Sequence, residues 1–585
     1  MNIRELLQAY QEGTLTPVQY LEEKIFPRLE AFSRTNNPAW ITLRSTDDML
    51  AEASLLEDRA RRGDSLPLYG IPYAVKDNID VEGLPTTAAC PDYSYLPGED
   101  AHAVALLRQA GALLIGKTNL DQFATGLVGA RSPYGSCHSV FHPDYISGGS
   151  SSGSAVVVAA QLVAFSLGTD TAGSGRVPAA FNQLVGYKAT RGRVSTRGVV
   201  PACRSLDCVT VFAPTIADAS LVMDIIGQPD PLDPFSRSAP PRLMTRPRGS
   251  SQDQWTFGIP SRNLWQFFGD EEAENLYQQA IETMIAAGGT PCDIDDQPLR
   301  EAALLLYTGP WVAERTVAIE SFLRTKPEAI HPVVRDIIRQ GDSYSATDTF
   351  RALYQLEEFR RQIAALWNSL DCLLLPTAPI HPTIAEVLAD PVQLNSRLGT
   401  YTNFVNLLDL TALALPSGQR TNGCPFGITL IGPAWSDHLL ETLGLRFQSP
   451  ETPPSRAPQE GILLAVVGAH LRGQPLHPQL LDCGAIFVET TQTAPRYRLF
   501  ALPTNPPKPG LLQSNDIGAQ PIEVEIYRMT PTGLGQLLRQ VPPPLTIGTI
   551  QLASGANAKG FLVESSAIDG AHEITHHRSW RAYLG

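Results

Sequence analysis

Nothing in this chain of 585 residues is long and apolar enough to cross a bilayer. The longest strongly apolar run, about Ala155 to Leu167, falls short of the roughly 20 residues a spanning helix needs and reads as a buried helix. Basic clusters are also missing. Lys and Arg number 45 against 59 Asp and Glu, a net charge of -14, which argues against a partner that tracks nucleic-acid phosphates. The 8 cysteines are scattered without a CxxC pair, so neither a disulfide framework nor a cysteine zinc site is indicated, and they read as small core residues. No GKS or GKT follows the glycine-rich runs, which disfavours a nucleotide P-loop. The N-terminus is polar and amphipathic and carries no secretory signal. The expectation is a cytoplasmic protein with no membrane segment and no metal or other cofactor.

What is present is a chain too long for one ordinary core. Residues 1–60 read as helical, with Thr16 as N-cap before Pro17 and Leu21, Ile25 and Leu29 at helical spacing. Short strand-like runs follow at Ile71 to Val75 and Ala112 to Ile115. Their alternation with helices predicts an α/β fold with a mixed central sheet covered by helices. Residues 228–254, rich in Pro, Ser and Arg, read as a long surface loop that marks no domain boundary. The proline-rich PETPPSRAP of 450–458 reads as a linker between a large domain, 1–449, and a small α+β domain, 459–585. In the tail, strands are expected near Ile462 to Val467, Ala485 to Glu489, Arg496 to Ala501, Glu523 to Tyr527 and Gly548 to Leu552. One helix is expected from the N-cap Thr530 and Pro531 to about Arg539.

The chemistry concentrates between Gly148 and Arg191. GGSSSGSA, Gly148 to Ala155, and GTDTAGSGRVPAA, Gly168 to Ala180, are two glycine- and serine-rich loops flanking the apolar run. Such loops bring backbone N–H groups close to a ligand, although each alone could be a mere turn. Upstream, YGIPYAVKDNIDVEG, Tyr69 to Gly83, ends an apolar strand on Lys76. A lysine there is either an unusual buried amine or a surface ion pair with Asp77.

Taken together, Lys in GIPxxVKD, Ser in GGSSSG and Ser in GTDTAGS resemble the amidase-signature family. The resemblance extends through LLLPTAPIHP (373–382), YTNFVNLLDLTALALPSG (401–418) and FGITLIGP (426–433). It implies a nucleophile at Ser174, a bridging serine at Ser150 after a cis peptide bond from Gly149, and a base at Lys76. It also implies an oxyanion hole from the amides of Thr171, Ala172, Gly173 and Ser174. Each donor of that kind contributes roughly 3–4 kcal/mol to transition-state stabilisation. The physics agrees with the family: a serine hydroxyl needs a base, and a lysine is a base only when burial keeps it neutral. Asp170 and Arg176 read as braces of the loop. Gly175 departs from the family, which usually carries an apolar residue there.

Two further segments narrow the substrate. DQFATGLVGARSPYG, Asp121 to Gly135, resembles the acyl-site loop of the allophanate hydrolase branch of the family. In LLLYTGPWVAERTVAI, Leu304 to Ile319, Tyr307 and Arg315 match residues that bind a free carboxylate in that branch. With Gly126 they form the implied substrate-binding set. Arg suits a carboxylate through its bidentate fork, although Arg315 could instead pair with Glu314 at the surface. VVGAHLRGQPLHPQL (466–480), IGTIQLASG (547–555) and KGFLVESSAIDGAHEITHHRSWRAYLG (559–585) resemble the branch's C-terminal domain, of γ-glutamyl-cyclotransferase-like fold. The resemblance implies hydrolysis of allophanate to ammonia and CO2 in urea degradation, with the tail acting on N-carboxycarbamate. His470 is the candidate base there, and a packed or capping histidine is the competing reading. It also implies a homodimer and a functional link to a separate biotin-dependent urea carboxylase, since no biotin-attachment or ATP-binding segment is seen. An amidase of another small carboxylate-bearing amide, with the tail as an assembly module, remains open, as does a non-enzymatic scaffold.

Overall fold

The computed structural model describes residues 2–240, 255–449 and 462–584, apart from 473, 484, 505–507, 515, 517 and 530. The expected linker at 450–458, the N-cap Thr530 and the second half of the 228–254 loop lie outside the described residues. The chain divides into two compact units, Met1–Pro454 and Ser455–Gly585.

The first unit is built on an eleven-stranded sheet. Its strands are β1 (Trp40–Leu43), β2 (Pro72–Lys76), β3 (Leu113–Thr118), β4 (Phe165–Asp170), β5 (Val185–Lys188), β6 (Cys208–Ala213), β7 (Trp255–Pro260), β8 (Gly289–Ile294), β9 (Cys372–Pro376), β10 (Leu410–Gln419) and β11 (Pro425–Pro433). They lie in the order β1-β3-β2-β4-β6-β5-β10-β11-β9-β7-β8. The sheet is mixed. β2 runs parallel to both β3 and β4, β7 parallel to β8 and β9, and the central pairs are antiparallel. Helices cover it, and two large apolar clusters pack on it. β2, β3, β4 and β6 are buried at every position, which is why they read as near-continuous apolar runs rather than alternating ones.

Two readings need correction. The first 60 residues are not all helix: β1 interrupts them, pairing antiparallel with β3 at the sheet edge. Its Trp-Ile-Thr-Leu sequence suits a pleated edge, and tertiary pairing overrides the helical context. The run from Ala155 to Leu167 is two elements. The helix Ser152–Ala159 ends before Gln161, whose φ is +57°, and the chain turns back as β4. Apolar residues on both sides of that turn hide it from periodicity. The Thr16 cap is present with a full capping box to Gln19.

The second unit has its own core and two sheets. Its strands are β12 (Ile462–Val466), β13 (Ile486–Gln492), β14 (Tyr497–Leu502), β15 (Lys508–Gln513), β16 (Glu523–Met529), β17 (Leu545–Gln551), β18 (Asn557–Val563) and β19 (His572–Glu573). One sheet has the order β13-β16-β12-β18-β17 and the other β15-β14-β19. A helix spans Pro531–Leu538. β15 escaped the sequence reading because it contains Pro509, a residue confined to sheet edges, and β15 is indeed an edge strand.

Candidate active site

Parallel pairing of β2 with β4 sets Val75 beside Leu167, so both strands deliver their C-terminal ends to one place. Ligands in α/β sheets bind beyond such strand ends. Lys76 closes β2 and is fully buried. Its Nζ lies 2.8 Å from Ser150 Oγ and 2.8 Å from Thr169 Oγ1 near the end of β4. It does not pair with Asp77, which instead meets Lys117 at 3.2 Å. Burial pushes the Lys76 amine down to about 7, against the pull of Asp121, Asp207 and Asp170, with the Arg315 charge adding to the fall.

Ser150 follows the Gly149–Ser150 peptide, which is cis. A side chain at Gly149 is excluded, since a Cβ there would fall 2.1 Å from Asp121 Oδ2. The turn is stitched to β4 through Ser151. Its Oγ donates to the Thr169 carbonyl (3.0 Å) and accepts from the Thr169 N–H (3.3 Å).

Ser174, also buried, sits in the turn between β4 and the helix Val177–Phe181. Asp170 organises that turn. Its carboxylate accepts from the N–H groups of Gly173 (2.9 Å) and Gly175 (3.0 Å) and from Arg176 Nε and Nη2 (both 2.9 Å). Burial works to raise the Asp170 carboxyl, yet the Arg176 charge holds it below the usual range. Asp170 and Arg176 thus brace the loop. Gly173 has φ +142°, and a Cβ there would lie 2.5 Å from Thr402 Oγ1, so only glycine fits. Its amide is committed to Asp170, which reduces the expected oxyanion donors to Thr171, Ala172 and Ser174. The departure at Gly175 has a local cause: a Cβ would press to 2.7 Å on Thr210 of β6.

Asp207 escaped the sequence reading. It accepts from the Thr171 hydroxyl and from the amides of Ala202 (2.8 Å) and Cys203 (3.2 Å). Burial pushes its carboxyl up to about 6 despite these bonds. A lone Asp well after the glycine-rich loop carries no signal until the fold brings them together.

The expected substrate-binding residues gather around Asp121 and Thr125. Arg315 is buried rather than paired with Glu314, which bonds Ser205 instead. Its guanidinium lies over the Tyr307 ring (5.4 Å), and Nη1 donates to Thr125 Oγ1 (3.0 Å). Its Nε and Nη2 have no partner among the described residues. Two aligned N–H groups on a buried guanidinium suit a carboxylate. Gly126 packs on Asp121, with an added Cβ falling 2.5 Å from Oδ2. Asp121 in turn holds the loop by accepting from the amides of Val128, Gly129 and Arg131.

In the second unit, His470 stacks on Phe561 (4.8 Å between ring centres) and its Nε2 lies 3.2 Å from Gln479 Oε1. Burial pushes it down to about 4, so it is neutral near pH 7. It lines a cleft with Gly468, Ala469, Gln479, Lys508 and Phe561. Among the described residues no cluster of three or more His, Cys, Asp or Glu side chains could hold a metal ion.

A mixed sheet that buries a lysine against a serine, followed along the chain by a braced glycine-rich turn with a buried serine, is the framework of an amidohydrolase. The chain belongs to the amidase family, whose model matches residues 23–440, and it carries an allophanate hydrolase C-terminal domain at 462–585. It is similar to the crystal structure of selenomethionine-substituted Kluyveromyces lactis allophanate hydrolase. The TM-score is 0.77 at 42% identity, covering 100% of this chain and 99% of that one. The urea amidolyase of Saccharomyces cerevisiae is 45% identical over 576 residues; the match covers 93% of this chain but spans only 31% of that protein's length. The native peptide amidase of Stenotrophomonas maltophilia is also similar, with a TM-score of 0.64 at 26% identity, covering 77% of this chain and 96% of that one. No helix among the described residues is long and apolar enough to cross a membrane.

Proposed function

We propose that this chain hydrolyses allophanate, with the first unit releasing ammonia and the second acting on the N-carboxycarbamate that remains. The observation that carries the reading is the pairing of the buried Lys76–Ser150 contact with an Arg315 guanidinium that keeps two N–H groups without partners among the described residues.

In this mechanism neutral Lys76 takes a proton from Ser150, which takes one from Ser174. Ser174 Oγ attacks the terminal carbonyl of allophanate while its carboxylate rests on Arg315. The amides of Thr171, Ala172 and Ser174 receive the developing oxyanion. The relayed proton passes to the leaving nitrogen, and ammonia departs. Water then cleaves the carbamoyl-enzyme and regenerates Ser174. Tyr307 orients Arg315, and Gly126, held close on Asp121, belongs to the loop that binds the substrate. In the second unit neutral His470 is the candidate base for loss of CO2. Two CO2 and two ammonia result in total.

The domain reading places the boundary at 450–458. The substrate would come from a biotin-dependent urea carboxylase in the cytoplasm, and the working form is a homodimer. The test is ammonia release from allophanate by the full chain, with intact-mass spectrometry for an adduct on Ser174. Equal rates on allophanate and on neutral amides would sink the carboxylate clamp.

A further inference from the structure

Arg131 is the group in this site that the mechanism leaves unused. It belongs to the same loop as Thr125 and Gly126 and is as buried as Arg315. Its Nη1 donates to the Thr125 carbonyl (3.0 Å) and its Nη2 to the Pro391 carbonyl (2.5 Å), while Nε has no partner among the described residues. Arg315 holds the other side of the same residue through Thr125 Oγ1. Two guanidiniums therefore share one threonine inside the protein.

Neither makes an ion pair with a carboxylate among the described residues. The nearby acids are bonded elsewhere: Asp121 to the backbone amides of Val128, Gly129 and Arg131, Asp207 to the Thr171 hydroxyl and the amides of Ala202 and Cys203, and Glu314 to Ser205. Burial works against the Arg131 cation; Asp121 and then Tyr307 offset part of that, and the Arg315 charge adds a smaller opposing push. Buried charges are normally paired, because an unpaired one is costly. Two buried cations on one threonine, with no carboxylate in ion-pair contact among the described residues, complement an anion arriving from solution.

We propose that Arg131 is a specificity-determining positioning residue. Its charge, acting beside Arg315 through Thr125, makes the acyl site select carbonyl substrates that carry a carboxylate over neutral ones of the same shape. This rests on the function proposed above. A structural brace would hold the Thr125 and Pro391 carbonyls equally well for either substrate. A charge-selecting residue would not.

The test uses the full chain with Arg131→Gln and Arg131→Lys, assayed for kcat/KM on allophanate and on neutral biuret. Arg131→Gln should lower the allophanate-to-biuret ratio at least about tenfold, chiefly through KM, while Arg131→Lys should keep it within about threefold. Equal losses on both substrates, or an unchanged ratio in Arg131→Gln, would overturn the inference. Should Arg131→Gln fail to fold, Arg131→Lys still decides: a kept charge with a collapsed ratio refutes the proposal. If the parent chain turns over neither substrate, the functional reading falls and takes this inference with it. If the parent prefers allophanate and the variants do too, only the role of Arg131 falls.

Discussion

A buried amine held near neutrality makes this site sensitive to pH in one direction. The reaction needs Lys76 uncharged, and burial pushes it down to about 7. Ammonia release should therefore rise with pH through about 7 and level off above it. Lys76→Ala should lose activity on the order of a thousandfold or more and show no such limb; an unchanged profile would remove Lys76 from the relay. Ser174→Ala should be as damaging, and turnover within about tenfold of the parent would refute the nucleophile. Asp170→Asn makes a different prediction. It leaves the fully buried Arg176 without its counter-charge and loosens the Gly173 and Gly175 amides. The variant should lose about 3–5 kcal/mol of stability, read by urea denaturation of the first unit. Native stability with normal turnover would show that the clasp is dispensable.

At the scale of elements, the site depends on the parallel register of β2 and β4 and on the helix Ser152–Ala159 beneath them. Leu167 lies in β4 and is wholly buried in the larger apolar cluster of the first unit. Leu167→Ala should cost about 2–5 kcal/mol through lost burial and a residual cavity. Because Val75 and Leu167 are register partners, the change should also lower kcat more than it raises KM. A stability loss with untouched kcat would mean that the strand ends hold their geometry by other means. β2 was legible as an apolar run ending in Lys76, and β3 as the run at Ala112 to Ile115. β1 and the split of the 155–167 run were not, since pairing partners far along the chain decide both.

For the whole molecule, each of the two units has its own hydrophobic core. Removing residues 459–585 should leave ammonia release from allophanate intact while CO2 evolution lags behind it. Coincident ammonia and CO2 kinetics in the truncated chain would take the second unit out of the reaction. His470→Ala in the full chain should reproduce the lag, because a neutral imidazole lining the cleft is then missing.

The sequence alone determined the kind of chemistry: the amine at a strand end and the two serines in glycine-rich turns are local patterns, carried by a few contiguous residues each. It also carries the proline-rich stretch at 450–458 that reads as a linker before the tail. Only the tertiary structure decided which charges are paired. Asp77 goes to Lys117, Asp207 to the Thr171 hydroxyl, Gly173 to Asp170, and Arg315 to Thr125 rather than to Glu314. These choices are settled by burial and by partners distant in the chain. The energy of a charge depends on its surroundings far more than on its neighbours in sequence.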